Sequence, residues 1–149
     1  MTQTLENFLI GAKNKDFATK TGTQIHAQLQ RVIVDGVNGN SGAPELIENI
    51  VKHPDIKPFF ASVAKTEVPI AGYINGRMVS RRIDRLLINH DLKNIDFIDY
   101  KTDADKTAFV KQYEHQLKEY KELLKSAYPG YKINGYILWL KDWNLDKKI

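Results

Sequence analysis

The sequence predicts an α/β domain: a mixed sheet of about four strands flanked by helices, preceded by a helical segment. Three observations predict it. Two runs rich in β-branched residues, 66–74 and 77–88, are joined by Asn75-Gly76, the strongest short hairpin signal. A third strand-like run, 95–101, is followed by an amphipathic stretch with Phe109, Val110, Tyr113, Leu117, Tyr120, Leu124 and Ala127 at helical spacing. Residues 132–140 then supply a last, apolar strand, and the long helix before it is the crossover that a parallel pairing requires.

Taken in order, Leu5, Phe8, Leu9 and Ala12 predict a first helix, and residues 14–20 a polar loop. A second helix is expected to start near Thr21 to Thr23 and to carry Ile25, Leu29, Val32 and Ile33 on its buried stripe, with Gly36, Gly39 and Gly42 ending it. Pro44 opens a helix bearing Leu46, Ile47, Ile50 and Val51, and Pro54 and Pro58 bracket a short helical segment ending near Val63. A looser turn around Asn89 to Asn94 leads into the third strand, and Asp103 or Asp105 is placed to cap the long helix, which Pro129-Gly130 closes. The polar tail from Lys141 is expected to fray. The expected organisation is one domain over 1–149, helical across residues 1–64 and built of the sheet and long helix across residues 65–141.

With 149 residues, 42% hydrophobic and 27% charged, the chain has the balance of a soluble globular domain large enough to fold around one core. The absence of cysteine excludes disulfides and thiolate metal sites, so any metal must be held by histidine, carboxylates, carbonyls or water. The first ten residues contain Glu6 and lack a basic segment followed by an apolar run; neither a secretory signal nor a membrane span is expected, and a cytoplasmic location is the corresponding expectation. The net charge of +4 suits a polyanionic partner without reaching the density of a DNA-coating protein.

The stretch Ile98-Asp99-Tyr100-Lys101-Thr102 is the most informative for chemistry, because residues two apart on a strand share a face. Asp99 and Lys101 therefore sit together, either as a surface ion pair or as a metal carboxylate beside a cation that serves a phosphate. A second acid, Asp84, interrupts the apolar strand before it, where it either faces Asp99 across the sheet or pairs with Arg82 or Arg85. Two close carboxylates repel unless a cation lies between them, and Mg²⁺, a hard ion that takes oxygen ligands, is the natural candidate. His26 lies at the border of its helix's apolar stripe, as a packing residue or a ligand. Gln116 and Tyr120 lie one turn apart on the long helix and can point at the same site. Glu67 is either an acid supporting that site or a solvent-facing strand residue.

These segments resemble the PD-(D/E)xK nucleases of restriction-endonuclease-like fold, and in particular the RecB/AddA-type nuclease domain at the C-terminus of UvrD-like helicase–nucleases. The segments 22–26, 67–69, 83–86, 98–102 and 116–120 occur in the family's order across nearly the whole chain, and the turn at 128–130 is most like the AddA branch of alphaproteobacteria. The resemblance implies His26, Asp84, Asp99 and the main-chain carbonyl of Tyr100 as metal ligands, Lys101 as the catalytic lysine, and Gln116 and Tyr120 beside them. It implies Mg²⁺ as cofactor, with Mn²⁺ able to substitute, and exonuclease-type hydrolysis of DNA in double-strand break repair and recombination. No GxxxxGK[ST] motif is present, so the resemblance implies either a domain excised from a larger protein, with helicase motor domains or an AddB-like subunit as partners, or a small stand-alone relative. Arg81 departs from the pattern, standing where the family commonly has glycine. The alternative is a DNA-binding module that keeps the fold without turnover.

Overall fold

The structure is a computed structural model that describes residues 24–35, 39–103 and 105–149. The helix expected over Leu5 to Ala12 lies outside them. A helical stretch over 24–29, α1, leads into a small hairpin of β1 (Ile33–Asp35) and β2 (Gly39–Ser41). Helix α2 (Pro44–Val51) and a 3₁₀ turn (Lys57–Phe60) follow. Then come β3 (Lys65–Ile74), β4 (Arg77–Asn89), β5 (Asn94–Lys101), α3 (Val110–Ala127), β6 (Lys132–Trp139) and β7 (Asn144–Lys147). These last five strands form one mixed sheet in the order β3-β4-β5-β6-β7, antiparallel except for the β5–β6 pair.

The expected β3–β4 hairpin forms, and its Asn75-Gly76 turn has both residues at positive φ, as the favoured two-residue hairpin turn demands. Pro69 is tolerated within β3 because β3 is a sheet edge. Helix α3 crosses one face and returns the chain so that β6 lies parallel to β5. Beneath it Ile83, Leu86, Phe97, Leu117, Tyr120 and Leu124 form one core. A second core on the opposite face gathers Leu29, Ile50, Phe59, Phe60, Ile98 and Tyr100.

Three expectations are corrected. The second helix does not run to Ile33. It ends at residue 29, and Val32 to Asp35 turn into the β1–β2 hairpin, so the region before residue 64 is not wholly helical. The cause is a distant side chain: Arg85 of β4, fully buried, donates to the main-chain carbonyls of Leu29, Val32 and Phe59, and stacks over the Phe60 ring. Those carbonyls are held by a guanidinium instead of by further helix. The tail is likewise not frayed. Residues 144–147 add a fifth strand, and Gly135 exchanges backbone hydrogen bonds with Lys148 and Ile149. Gly135 is required there, because a Cβ would lie 2.6 Å from the Phe97 ring and 2.8 Å from Ile149. Finally, Phe109 precedes α3 and is exposed, while Asp105 caps the turn before the helix through Thr107 and Ala108.

Candidate metal centre at a fork in the sheet

The hydrogen-bonded register between β4 and β5 runs from Asn89↔Asn94 to Arg85↔Ile98 and then stops, although β5 continues to pair with β6 as far as Lys101. Asp84 is also missing from the β3–β4 ladder, which holds on either side of it at Arg85↔Thr66 and Ile83↔Val68. The sheet thus forks at Asp84. The Tyr100 N–H, which no longer faces a strand carbonyl of β4, donates to Asp84 Oδ2 at 2.7 Å. The residue that Asp84 would face in β3 is Glu67, which stands at φ +50°, a left-handed conformation uncommon for a non-glycine residue. Glu67, Asp84 and Asp99 therefore form a row of acids across three adjacent strands.

Two groups of side chains converge on this row. From the α1 side, His26 Nδ1 lies 3.4 Å from Asp84 Oδ1, and the imidazole meets the Tyr100 ring edge-on at 5.2 Å. Ligand atoms of His26, Glu67 and Asp84 all fall within 4.8 Å of one another. From the α3 side, Lys101 Nζ lies 2.7 Å from Asp99 Oδ2, 3.2 Å from Gln116 Oε1 and 4.2 Å from the centre of the Tyr113 ring. Gln116 in turn donates to the Tyr120 hydroxyl at 2.8 Å. Tyr113 is steadied by its own hydrogen bond to Asp103. Below the fork, Arg85 Nε donates to the Tyr100 hydroxyl, so one buried arginine ties α1 and β5 together directly under His26 and Asp84.

The electrostatics are those of crowded acids. Burial, with Asp84 adding to it against the pull of Lys101, pushes the Asp99 carboxyl up to about 7. Glu67 is raised by burial and by Asp84, and His26 is raised by its hydrogen bond to Asp84. Asp99 Oδ2 is buried and faces the Lys101 ammonium without making a hydrogen bond of good angle. Three mutually repelling carboxylates, partly deprived of water, with an imidazole drawn to one of them, are a donor set that suits a hard divalent cation.

Of the residues singled out from sequence, His26, Asp84, Asp99, Lys101, Gln116 and Tyr120 all come together at the fork. Asp84 is not neutralised by its flanking arginines: its partners are His26 and the Tyr100 N–H. Tyr100 packs its ring into the core behind His26. Asp99 stands beside Asp84 but turns to Lys101, and the acid grouped most closely with His26 and Asp84 is Glu67. Its signal in the sequence was its place in Glu67-Val68-Pro69 at the entrance to the hairpin. Arg81 points away from the fork, reaching Glu119 of α3 at 3.3 Å, so its bulk clamps hairpin to helix and leaves the acids clear. Comparison with protein-family models and with curated proteins finds no match to this chain. Among the described residues no helix is long and apolar enough to cross a membrane.

Proposed function

We propose that the fork is the active centre of a metal-dependent deoxyribonuclease of the PD-(D/E)xK type, on a restriction-endonuclease-like core, related to the nuclease domain of RecB/AddA helicase–nucleases. The observation that carries this reading is the convergence of His26, Glu67 and Asp84 within ligand distance, with the Asp99–Lys101 pair beside them. A divalent ion, Mg²⁺ or Mn²⁺, supplies Lewis-acid polarisation of the phosphate and activation of the attacking water when bound. His26, Asp84 and Asp99 would hold it, with Glu67 as the added acid. Lys101 places its charge where negative charge develops on the phosphoryl oxygens, the kind of preorganised contribution that usually lowers a barrier most. Gln116, itself oriented by Tyr120, and the Tyr113 ring fix the ammonium. Hydrolysis proceeds by direct attack of water, with inversion at phosphorus and no covalent enzyme intermediate.

One observation favours the second reading, a DNA-binding module without turnover: Lys101 is already committed to Asp99 and Gln116. Plasmid nicking separates the two. The nuclease reading expects Mg²⁺-dependent conversion of supercoiled plasmid that chelator stops and that is absent in Asp99→Ala. Retarded plasmid that stays supercoiled in Mg²⁺ and in Mn²⁺ would establish the module instead.

A further inference from the structure

The β3–β4 hairpin has two unlike faces. On one, Val68, Ile70, Gly72, Val79 and Ile83 lie against α3 and its core, with Leu123 packed to within 3.0 Å of where a Gly72 Cβ would stand. On the other, the cross-strand rows Tyr73↔Met78, Ala71↔Ser80 and Pro69↔Arg82 lead away from the tip with no core against them. The next row in the same register is Glu67 and Asp84, the acids of the fork. This outer face is thus a straight path from the hairpin tip into the candidate metal centre. It is about 20 Å long, six residue steps from Tyr73 to Glu67 at roughly 3.4 Å each.

The chemistry along this path is ordered. At the tip Tyr73 and Met78 are 75% and 62% exposed, an aromatic ring and a polarisable thioether with no core to fill. The middle, Ala71, Ser80 and Pro69, is small and uncharged. Arg82 stands immediately before the acids, and the path carries no carboxylate until Glu67. Stacking surface at one end, close backbone approach in the middle and a cation next to the centre are the features that bind a single strand without reading its sequence.

We propose that this face guides a single strand of DNA, which stacks a base on Tyr73, lies along the small residues, and passes a phosphate over Arg82 into the fork. The proposal rests on the nuclease reading of the fork, but its test is made without metal. The path matches about six nucleotides at a stacked rise of roughly 3.4 Å. Fluorescence anisotropy in chelator, with labelled oligo(dT) of about twelve and about three nucleotides, compares wild type, Tyr73→Ala/Met78→Ala and Arg82→Ala. The tip variant is expected to bind the longer strand about tenfold more weakly and the short one as wild type does, since only the longer strand reaches from fork to tip. Arg82→Ala is expected to weaken both and to lower the salt slope by about one phosphate contact. A 5-iodouracil placed near the far end of the longer strand should cross-link to Tyr73 or Met78. Unchanged affinity of the tip variant for the longer strand, with cross-links elsewhere, overturns the path, as does tighter binding of blunt duplex that ignores the tip. A chain that binds strand in this pattern yet never cleaves in Mg²⁺ would keep the path and refute the nuclease reading. One that cleaves the longer strand with the same KM in both variants would do the reverse.

Discussion

The two sides of the fork are built differently. On the α3 side Lys101, Gln116 and Tyr120 form a closed relay in which each polar group meets the next, and the ammonium also lies over an aromatic ring. On the α1 side His26 is about one third exposed and drawn to Asp84, Glu67 sits in a left-handed conformation, and the strands hold the acids close despite their repulsion. The first arrangement is preorganised for placing a cation; the second crowds acids beside a left-handed backbone residue. Backbone strain and crowded titratable groups of this kind cluster at functional sites.

The largest expected effect breaks the α1 side. Asp84→Ala should lower cleavage by at least about a thousandfold, several kcal/mol of lost activation, with only a modest fall in the thermal midpoint, since relief from the neighbouring acids offsets the acceptor that the buried Tyr100 N–H loses. Near wild-type nicking under matched Mg²⁺ would show the metal site to be misassigned. On the α3 side, Lys101→Ala should cost about a hundredfold to a thousandfold in rate with calorimetric metal affinity retained. Loss of metal binding in that variant would mean that the two sides are not separable.

Arg85→Met tests what joins the sides. Removing the guanidinium orphans three main-chain carbonyls, so urea unfolding should register a loss of about 3 kcal/mol or more. A loss well under about 1 kcal/mol would show that Arg85 does not hold α1. Smaller still is the effect of Glu67→Gly. It should relieve the left-handed strain and raise stability by about 1 kcal/mol while weakening Mg²⁺ or Mn²⁺ binding about tenfold. Lower stability together with unchanged metal affinity would remove Glu67 from the centre.

The pH dependence of the metal-free protein follows from the same crowding. A carboxyl raised in the fold contributes stability that is fully present below its unfolded value and lost as pH rises through its folded value. Asp99, raised from 3.8 to about 7, therefore withdraws stability between about pH 4 and pH 7. His26, also raised, works in the same direction above its unfolded value of 6.5. Thermal midpoints in chelator should fall across that range less steeply in Asp99→Asn than in wild type, and Mg²⁺ should restore some of the loss above neutrality. Identical slopes would count against a crowded Asp99.

The hairpin, the crossover and the Asp99-x-Lys101 pair were legible because each is local or obeys a fixed period: Asn75-Gly76 fixes one turn, alternation fixes one face, and α3 is long enough to return a parallel strand. What was not legible depended on distant partners. Nothing in residues 24–35 announces that Arg85 will grip the carbonyls of Leu29 and Val32, and Asn144-Leu145-Asp146-Lys147 becomes a strand only because the β6 edge is there to pair with it. Glu67 reads equally as an acid supporting the site or as a solvent-facing strand residue, because a left-handed φ leaves no mark in a sequence. The fork itself is an absence of pairing, which periodicity cannot register.

The most direct test of the metal centre is the anomalous signal of Mn²⁺ soaked into crystals of the chain. A peak is expected in the fork within coordination distance of His26, Asp84 and Glu67 or Asp99, with Lys101 still on Gln116, and no such peak in Asp84→Ala. A fork that stays free of Mn²⁺ at concentrations supporting cleavage, or a peak bound elsewhere while His26 remains on Asp84, would contradict it.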